Sequence, residues 1–317
     1  MEYILSILLG SLALILYHVW NKMRRGHNWP PGPPTVPFLG NVNVDLSDRL
    51  KEFRKLRKLY GDVFSLVLGT QTVIVVNGLA NLKEFLIKNG DKTSIRPNTT
   101  GFKDIAKGKD FQLLRSVNDL FAAGTDTTVN SLSWFTLVLL YKPEIQQRMR
   151  KEIEEVVGDS RLPSLADREK LPYCDAVIHE TLRFGNIAPF ALPHGLTEDM
   201  QFNGYFIPKD AVIIPNLDSV LMDPDLFKDP FEFNPLRFLT DDGCLVGTEN
   251  VQTFGIGRRI CLGEALARME LFLFATSLIQ RFELVRSDGH KLPELTESKL
   301  GTTRSPLPFM VKAVERL

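Results

Sequence analysis

From Tyr3 to Trp20 the chain reads YILSILLGSLALILYHVW, an apolar run interrupted only by Ser6, Ser11 and His18 and free of fixed charge. That length suffices for a helix across a hydrocarbon core about 30 Å thick. Trp29 to Pro37 follows as W-P-P-G-P-P-T-V-P. Prolines lack the N–H and fix φ, so this stretch predicts a stiff, extended spacer rather than a helix. Beyond it the apolar period changes several times. Leu50 to Tyr60 places apolar residues at helical spacing between basic ones, and Phe64 to Val76 alternates around Gly69-Thr70 as a strand hairpin. Leu79 to Lys88 reads as a short amphipathic helix, and Thr93 to Asp110 is polar with weak periodicity. Phe111 to Tyr141 predicts a long apolar helix broken only at Ala122 to Thr128. Pro143 opens a helix over 144–157, and Pro172 another running to Phe184. Ile187 to Pro215 breaks into short strand-like pieces, and Asp218 to Phe238 is irregular. Ala265 to Phe282 is a strong helix, and a β-pair falls near Phe309 to Val314. The fold class is mainly α with minor β.

Composition narrows the function. Lysine plus arginine and aspartate plus glutamate both number 38, so the net charge is zero, which argues against a nucleic-acid partner. Hydrophobic content of 44% with 24% charged residues excludes wholesale disorder. The cysteines Cys174, Cys244 and Cys261 form no C-x-x-C pair, so neither a disulfide framework nor a zinc site is indicated, and a reducing compartment fits. Lys22, Arg24 and Arg25 follow the first apolar run, while Glu2 precedes it. These flanks favour a retained anchor with the body in the cytosol over a cleaved secretory signal. Trp20 and Trp29 suit the interface.

The densest chemistry lies in Phe254 to Glu264, F-G-I-G-R-R-I-C-L-G-E. Gly255 and Gly257 permit left-handed turns, and Cys261 falls where the helical period of Ala265, Leu266 and Met269 begins. A thiol facing a helix N-terminus favours the thiolate. Gly263 leaves room for a flat, large object, and Arg259 supplies a cation beside it. For Cys174 and Cys244 a buried structural role is expected.

The segment F-x-x-G-x-R-x-C-x-G resembles the haem-binding loop of the cytochrome P-450 monooxygenases. The resemblance implies that Cys261 is the axial iron ligand of haem b, that Arg259 pairs with a propionate, and that Phe254 belongs to the same cofactor site. Glu180-Thr-Leu-Arg183 and Phe233-Asn-Pro-Leu-Arg-Phe238 match the family's next motifs in order. Alone, an E-x-x-R is a common surface pair; within this set it implies a buried Glu180–Arg183–Arg237 network. Ala123-Gly-Thr-Asp-Thr127 resembles the oxygen-activation segment. There a mid-helix glycine invites a local bulge, and Asp126 and Thr127 would be the acid–alcohol pair that helps deliver protons. Alone, the segment would be a kink in a core helix. Pro193-His194 matches the segment where a side chain meets a propionate, although a satisfied loop histidine remains open.

The resemblance also breaks. Residues 96–109 resemble the approach to the family's second major helix, and Asp110 to Arg115 the lead-in to its oxygen helix. A large block normally separates these, including a W-x-x-x-R helix, yet the only tryptophans are Trp20, Trp29 and Trp134. A seam near Lys109 and Asp110 is expected, giving an incomplete fold of this family behind a transmembrane helix. The expected organisation is an anchor over 1–21, a basic and proline-rich hinge over 22–37, a β-containing part over 38–109 and an oxygen-helix and haem core over 110–317. The implied function is insertion of one oxygen atom from O2 into a small apolar substrate, with electrons from an NADPH-cytochrome reductase, at the endoplasmic reticulum membrane, single-pass. The alternatives are a non-catalytic truncated relative and a reductase-independent isomerase or dehydratase. The Asp126-Thr127 pair speaks against the last.

Overall fold

A computed structural model describes residues 2–23, 28–36, 39–69, 71–97 and 112–316. The seam at Lys109–Asp110, the basic pair Arg24 and Arg25, Pro37, Thr70 and the expected helix start at Phe111 lie outside the described residues. The chain divides into two units, one over Met1–Asp104 and Phe190–Asn216, the other over Ile105–Pro189 and Leu217–Leu317.

In the first unit, α1 (Glu2–Met23) exposes Ile4, Ile7, Leu12, Leu14 and Ile15. Among the described residues no helix is long and apolar enough to cross a membrane; the transmembrane reading of 1–21 therefore rests on the sequence. Helix α2 (Arg49–Tyr60) starts where the Asp48 side chain accepts the Lys51 N–H and stops at Gly61, φ +89°. Strands β1 (Val63–Leu68) and β2 (Gln71–Val76) form the expected antiparallel hairpin. The hydrophobic residues Phe64, Leu66, Val73 and Val75 pack with Phe53 and Leu56 of α2. The proline stretch is not a free spacer. Its carbonyls remain acceptors, and Ser65 donates its N–H to Pro31 O and its hydroxyl to Pro30 O, both at 2.7 Å. Asn41 donates to Pro33 O and Pro34 O. The polar face of β1 is thereby covered.

The expected helix over 79–88 is three pieces: α3 (Leu79–Lys83), a π-helical turn (Glu84–Lys88) and α4 (Gly90–Thr93). The Asn89 side chain donates to Glu84 O and the Thr93 hydroxyl to Phe85 O, and these bonds hold the widened turn. The strand-like pieces after Ile187 are β3 (Met200–Phe202) paired with β4 (Tyr205–Ile207), and β5 (Val212–Pro215), which lies parallel to β2.

In the second unit, α5 (Gln112–Tyr141), α6 (Pro143–Val156), α7 (Pro172–Gly185) and α9 (Glu264–Arg281) enclose the main core, with the short α8 (Asp218–Leu221) beside Arg183. Trp134, Leu137, Leu139, Met149, Cys174, Leu182 and Phe272 are among its buried residues. A 3-10 turn, Leu165–Lys170, begins with a Ser164/Asp167 capping box. The Arg161 guanidinium binds Asp167 through two 2.7 Å contacts and holds its carboxyl far below the usual carboxylate range. Strand β6 (Phe282–Arg286) pairs with β9 (Val311–Glu315), and β7 (Ser298–Leu300) with β8 (Arg304–Pro306). The helix-rich, minor-sheet class matches the pattern of the sequence.

Candidate functional site

The loop before α9 is shaped by its glycines. Gly255 (φ +88°) and Gly257 (φ +79°) take left-handed turns that an L side chain adopts only with strain. The Cys261 N–H then reaches back to Phe254 O at 2.9 Å, closing the loop, and Gly263 caps α9. A Cβ on Gly263 would stand 4.0 Å from the Cys261 sulfur. The sulfur-bearing residue is exposed, as are Arg259, Ile260, Leu262 (89%) and Leu266 around it. Phe254 sits partly buried against the main core with the Arg268 guanidinium 4.9 Å over its ring.

Behind this loop lies the charge network. Glu180 and Arg183, both fully buried on α7, join through two contacts of 2.7 and 2.8 Å. Arg237 donates to Glu180 Oε1 at 3.1 Å, and the Asn234 N–H at 2.8 Å. Carbonyls of Leu221, Pro230 and Glu232 take the remaining Arg183 donors. Buried charge is thus fully hydrogen-bonded, the condition under which it is tolerated. The network's hydrogen bonds join α7 to the segments carrying Leu221, Pro230, Glu232, Asn234 and Arg237.

The oxygen-segment residues sit differently. Helix α5 is continuous through Gly124, so the expected break and bulge at 122–128 do not form. The Thr125 and Thr127 hydroxyls donate to the carbonyls four residues back, at 2.8 and 2.7 Å, so both side chains lie along the helix. Nor is this face core. Leu120, Phe121 (74%) and Val129 are exposed, and nothing lies within 4 Å of a Cβ built on Gly124. Asp126 is exposed and accepts the Thr303 hydroxyl at 2.8 Å; Thr127 is half-buried. Each of the pair has its own partner: Thr127 donates to Ala123 O, and Asp126 accepts from Thr303.

His194 belongs to the first unit. It is buried, its backbone bridges Ile213, and its Nδ1 lies 2.7 Å from Thr93 O, so one ring nitrogen is satisfied within its own unit. Cys174 is buried beside Met149 O, and burial pushes its thiol well up. Cys244 departs from expectation: it is exposed, in a turn where its sulfur meets Asp242.

Sequence reasoning missed a second polar chain in this unit. Arg168 grips Asp175 through contacts of 3.0 and 2.8 Å, and His179 Nδ1 lies 2.9 Å from Asp175 O. His179 Nε2 lies 3.1 Å from Arg268, which also binds Glu264. The available signals were faint, an i,i+4 Asp–His pair and an i,i+4 Glu–Arg pair.

Among the described residues no three His, Cys, Asp or Glu side chains converge on a bare metal ion. A single exposed sulfur on an apolar, glycine-cleared platform with a neighbouring arginine suits instead a metal that arrives with its other ligands, as in a metalloporphyrin.

A family model described as Cytochrome P450 matches residues 30–112 and 107–313. Cytochrome P450 2U1 of Rattus norvegicus is 39% identical over 270 residues, 83% of this chain and 49% of that protein. Cytochrome P450 2B19 of Mus musculus is 44% identical over 204 residues, 64% of this chain and 42% of that protein, and Cytochrome P450 2B4 of Oryctolagus cuniculus is 43% identical over 204 residues, with the same coverage. The chain spans about half the length, or less, of these curated relatives. It belongs to the cytochrome P450 family.

Proposed function

We propose that this cytochrome P450 chain holds haem b through the Cys261 thiolate and that its oxygen-insertion activity is weak. The observation that carries the first half is the exposed Cys261 on its glycine-turned loop. The bound haem would supply reductive activation of O2, with electrons from an NADPH-dependent reductase. The protein's share is the rest. Cys261 supplies a soft anionic donor, Phe254 braces the loop, and Arg259 offers a cation to a propionate. His194 is assigned to a propionate by the sequence resemblance alone. Asp126 and Thr127 would hold and pass protons; for that, Thr127 must release its bond to Ala123 O.

The exposed stretch Leu120 to Asp126 of α5 favours the second half of the reading. The family match falls in two stretches that meet at residues 107–112, where the sequence shows its seam. On this reading a block that covers the α5 face is missing, and water reaches the place where reactive chemistry needs exclusion. The apolar run of α1 supports a membrane anchor, with the endoplasmic reticulum as the expected site and an apolar small molecule as substrate.

The deciding measurement is the ferrous–CO difference spectrum of the hemin-supplied chain. A strongly red-shifted Soret band in the native chain and in Cys244→Ala, absent in Cys261→Ala, is expected. A chain that stays colourless, or a band unchanged in Cys261→Ala, overturns the assignment. Turnover with added reductase is expected to be at background.

A further inference from the structure

A buried titratable side chain links the helix of the charge network to the helix behind the thiol loop. His179 on α7 is only 6% exposed. Its two nitrogens face different elements. Nδ1 lies 2.9 Å from Asp175 O on the same helix, and Nε2 lies 3.1 Å from a guanidinium nitrogen of Arg268 on α9. A guanidinium only donates, so Nε2 must be the acceptor and Nδ1 must carry the proton, donated to the Asp175 carbonyl. The ring is therefore neutral, with its tautomer fixed. Arg268 in turn is held on its other side by Glu264, at 2.9 Å, and lies over the Phe254 ring. Phe254 O receives the Cys261 N–H.

We propose that His179 is a positioning residue for the Cys261 loop: as a neutral acceptor it fixes the Arg268 guanidinium over Phe254, and Phe254 fixes the backbone that carries the sulfur. This inference rests on the reading of Cys261 as the haem ligand, and it concerns residues that the motif does not contain. It is the kind of outer support that sets a metal ligand's orientation.

The arrangement has a pH consequence. Burial lowers the His179 pKa from its ordinary 6.5; Arg268 and Arg168 act in the same sense, and Asp175 opposes them. Asp175 is itself engaged by Arg168, and Phe238 supplies the apolar neighbour. With the folded value below the unfolded one, the contribution of neutral His179 is fully present above about pH 6.5 and is lost as the pH falls through the folded value. Protonation would turn Nε2 into a donor facing a cation.

The test compares the native chain with His179→Gln, which keeps a neutral acceptor, and His179→Leu, which keeps bulk alone. The first readout is the thiolate-type fraction of the ferrous–CO spectrum between pH 5 and 8. His179→Leu is expected to lower haem retention by about tenfold. His179→Gln is expected to match the native chain at pH 7.5 and to lose less of the thiolate-type signal below pH 6.5. The second readout needs no haem: alkylation of Cys261 by iodoacetamide, divided by that of Cys244, with the sites resolved by peptide mass. The ratio in the native chain is expected to change severalfold on acidification and that in His179→Gln to stay flat. Equal profiles in the native chain and His179→Gln, or Leu and Gln variants equally impaired at pH 7.5, overturn the proposal. If the native chain takes up no haem, the haem reading fails, and the alkylation ratio still decides the His179 link. Should His179→Leu not fold, the Gln profile decides.

Discussion

The side of the second unit that carries the sulfur and the stretch Leu120 to Asp126 of α5 are built on opposite terms. On the sulfur side, Glu180 and Arg183 are fully buried, and the polar contacts described there come from residues between Arg168 and Arg268. On α5, the stretch around Phe121 to Asp126 is exposed, whereas further along the helix Trp134, Leu137 and Leu139 are completely buried. One helix thus contributes the end after Trp134 to a closed core, while its residues 120–126 are open. A motif whose supports all follow the seam keeps its surroundings when a block before it is missing. A motif whose cover came from elsewhere does not.

The largest effect expected is from breaking the sulfur side. Arg183→Leu strips Glu180 of its main partner inside the core and should destabilise the second unit by about 3–5 kcal/mol. Urea unfolding would measure it; a loss below about 1 kcal/mol would mean that the network is as dispensable as a surface pair. Next is the closed end of α5, where Leu139→Ala should cost about 3 kcal/mol through transfer and cavity effects. Thiol labelling sharpens the comparison without a mutation. Exposed Cys244 and Cys261 should react with a maleimide in the native state, and Cys174 only on unfolding, since burial raises its pKa as well as blocking access. The smallest change in stability is expected at the open face. Phe121→Ser should shift stability by no more than about 0.5 kcal/mol while reducing self-association in light scattering, because it removes exposed apolar surface. A loss as large as that of Leu139→Ala would show that the face is covered after all.

The sequence made the Cys261 loop legible because its glycines, arginine and cysteine stand at fixed short spacings, and each spacing has a backbone reason. The E-x-x-R helix was legible for the same cause, and the hairpin through its alternation. Three features were not. The Thr303–Asp126 bond joins positions 177 residues apart, and β5 lies beside β2 across 139 residues; no local pattern encodes either. The proline stretch was read from its missing N–H groups, yet its carbonyls decide where it lies. The bulge expected at Gly124 does not form: a mid-helix glycine weakens a helix without obliging it to bulge. His179 and Arg268 looked ordinary in sequence because each is a lone residue until the helices bring them together.

The bonds from Ser65 to the Pro30 and Pro31 carbonyls shorten a leash. The Asn28 carbonyl, which accepts the Phe206 N–H at 2.7 Å, shortens it further; if α1 lies in a bilayer, the slack between it and the strands runs only from Met23 to Asn28, roughly 18 Å at full extension. That keeps the strands within about one small-domain diameter of the lipid surface, and any pull on the anchor is borne first by β4 at Phe206 and only then by β1 at Ser65.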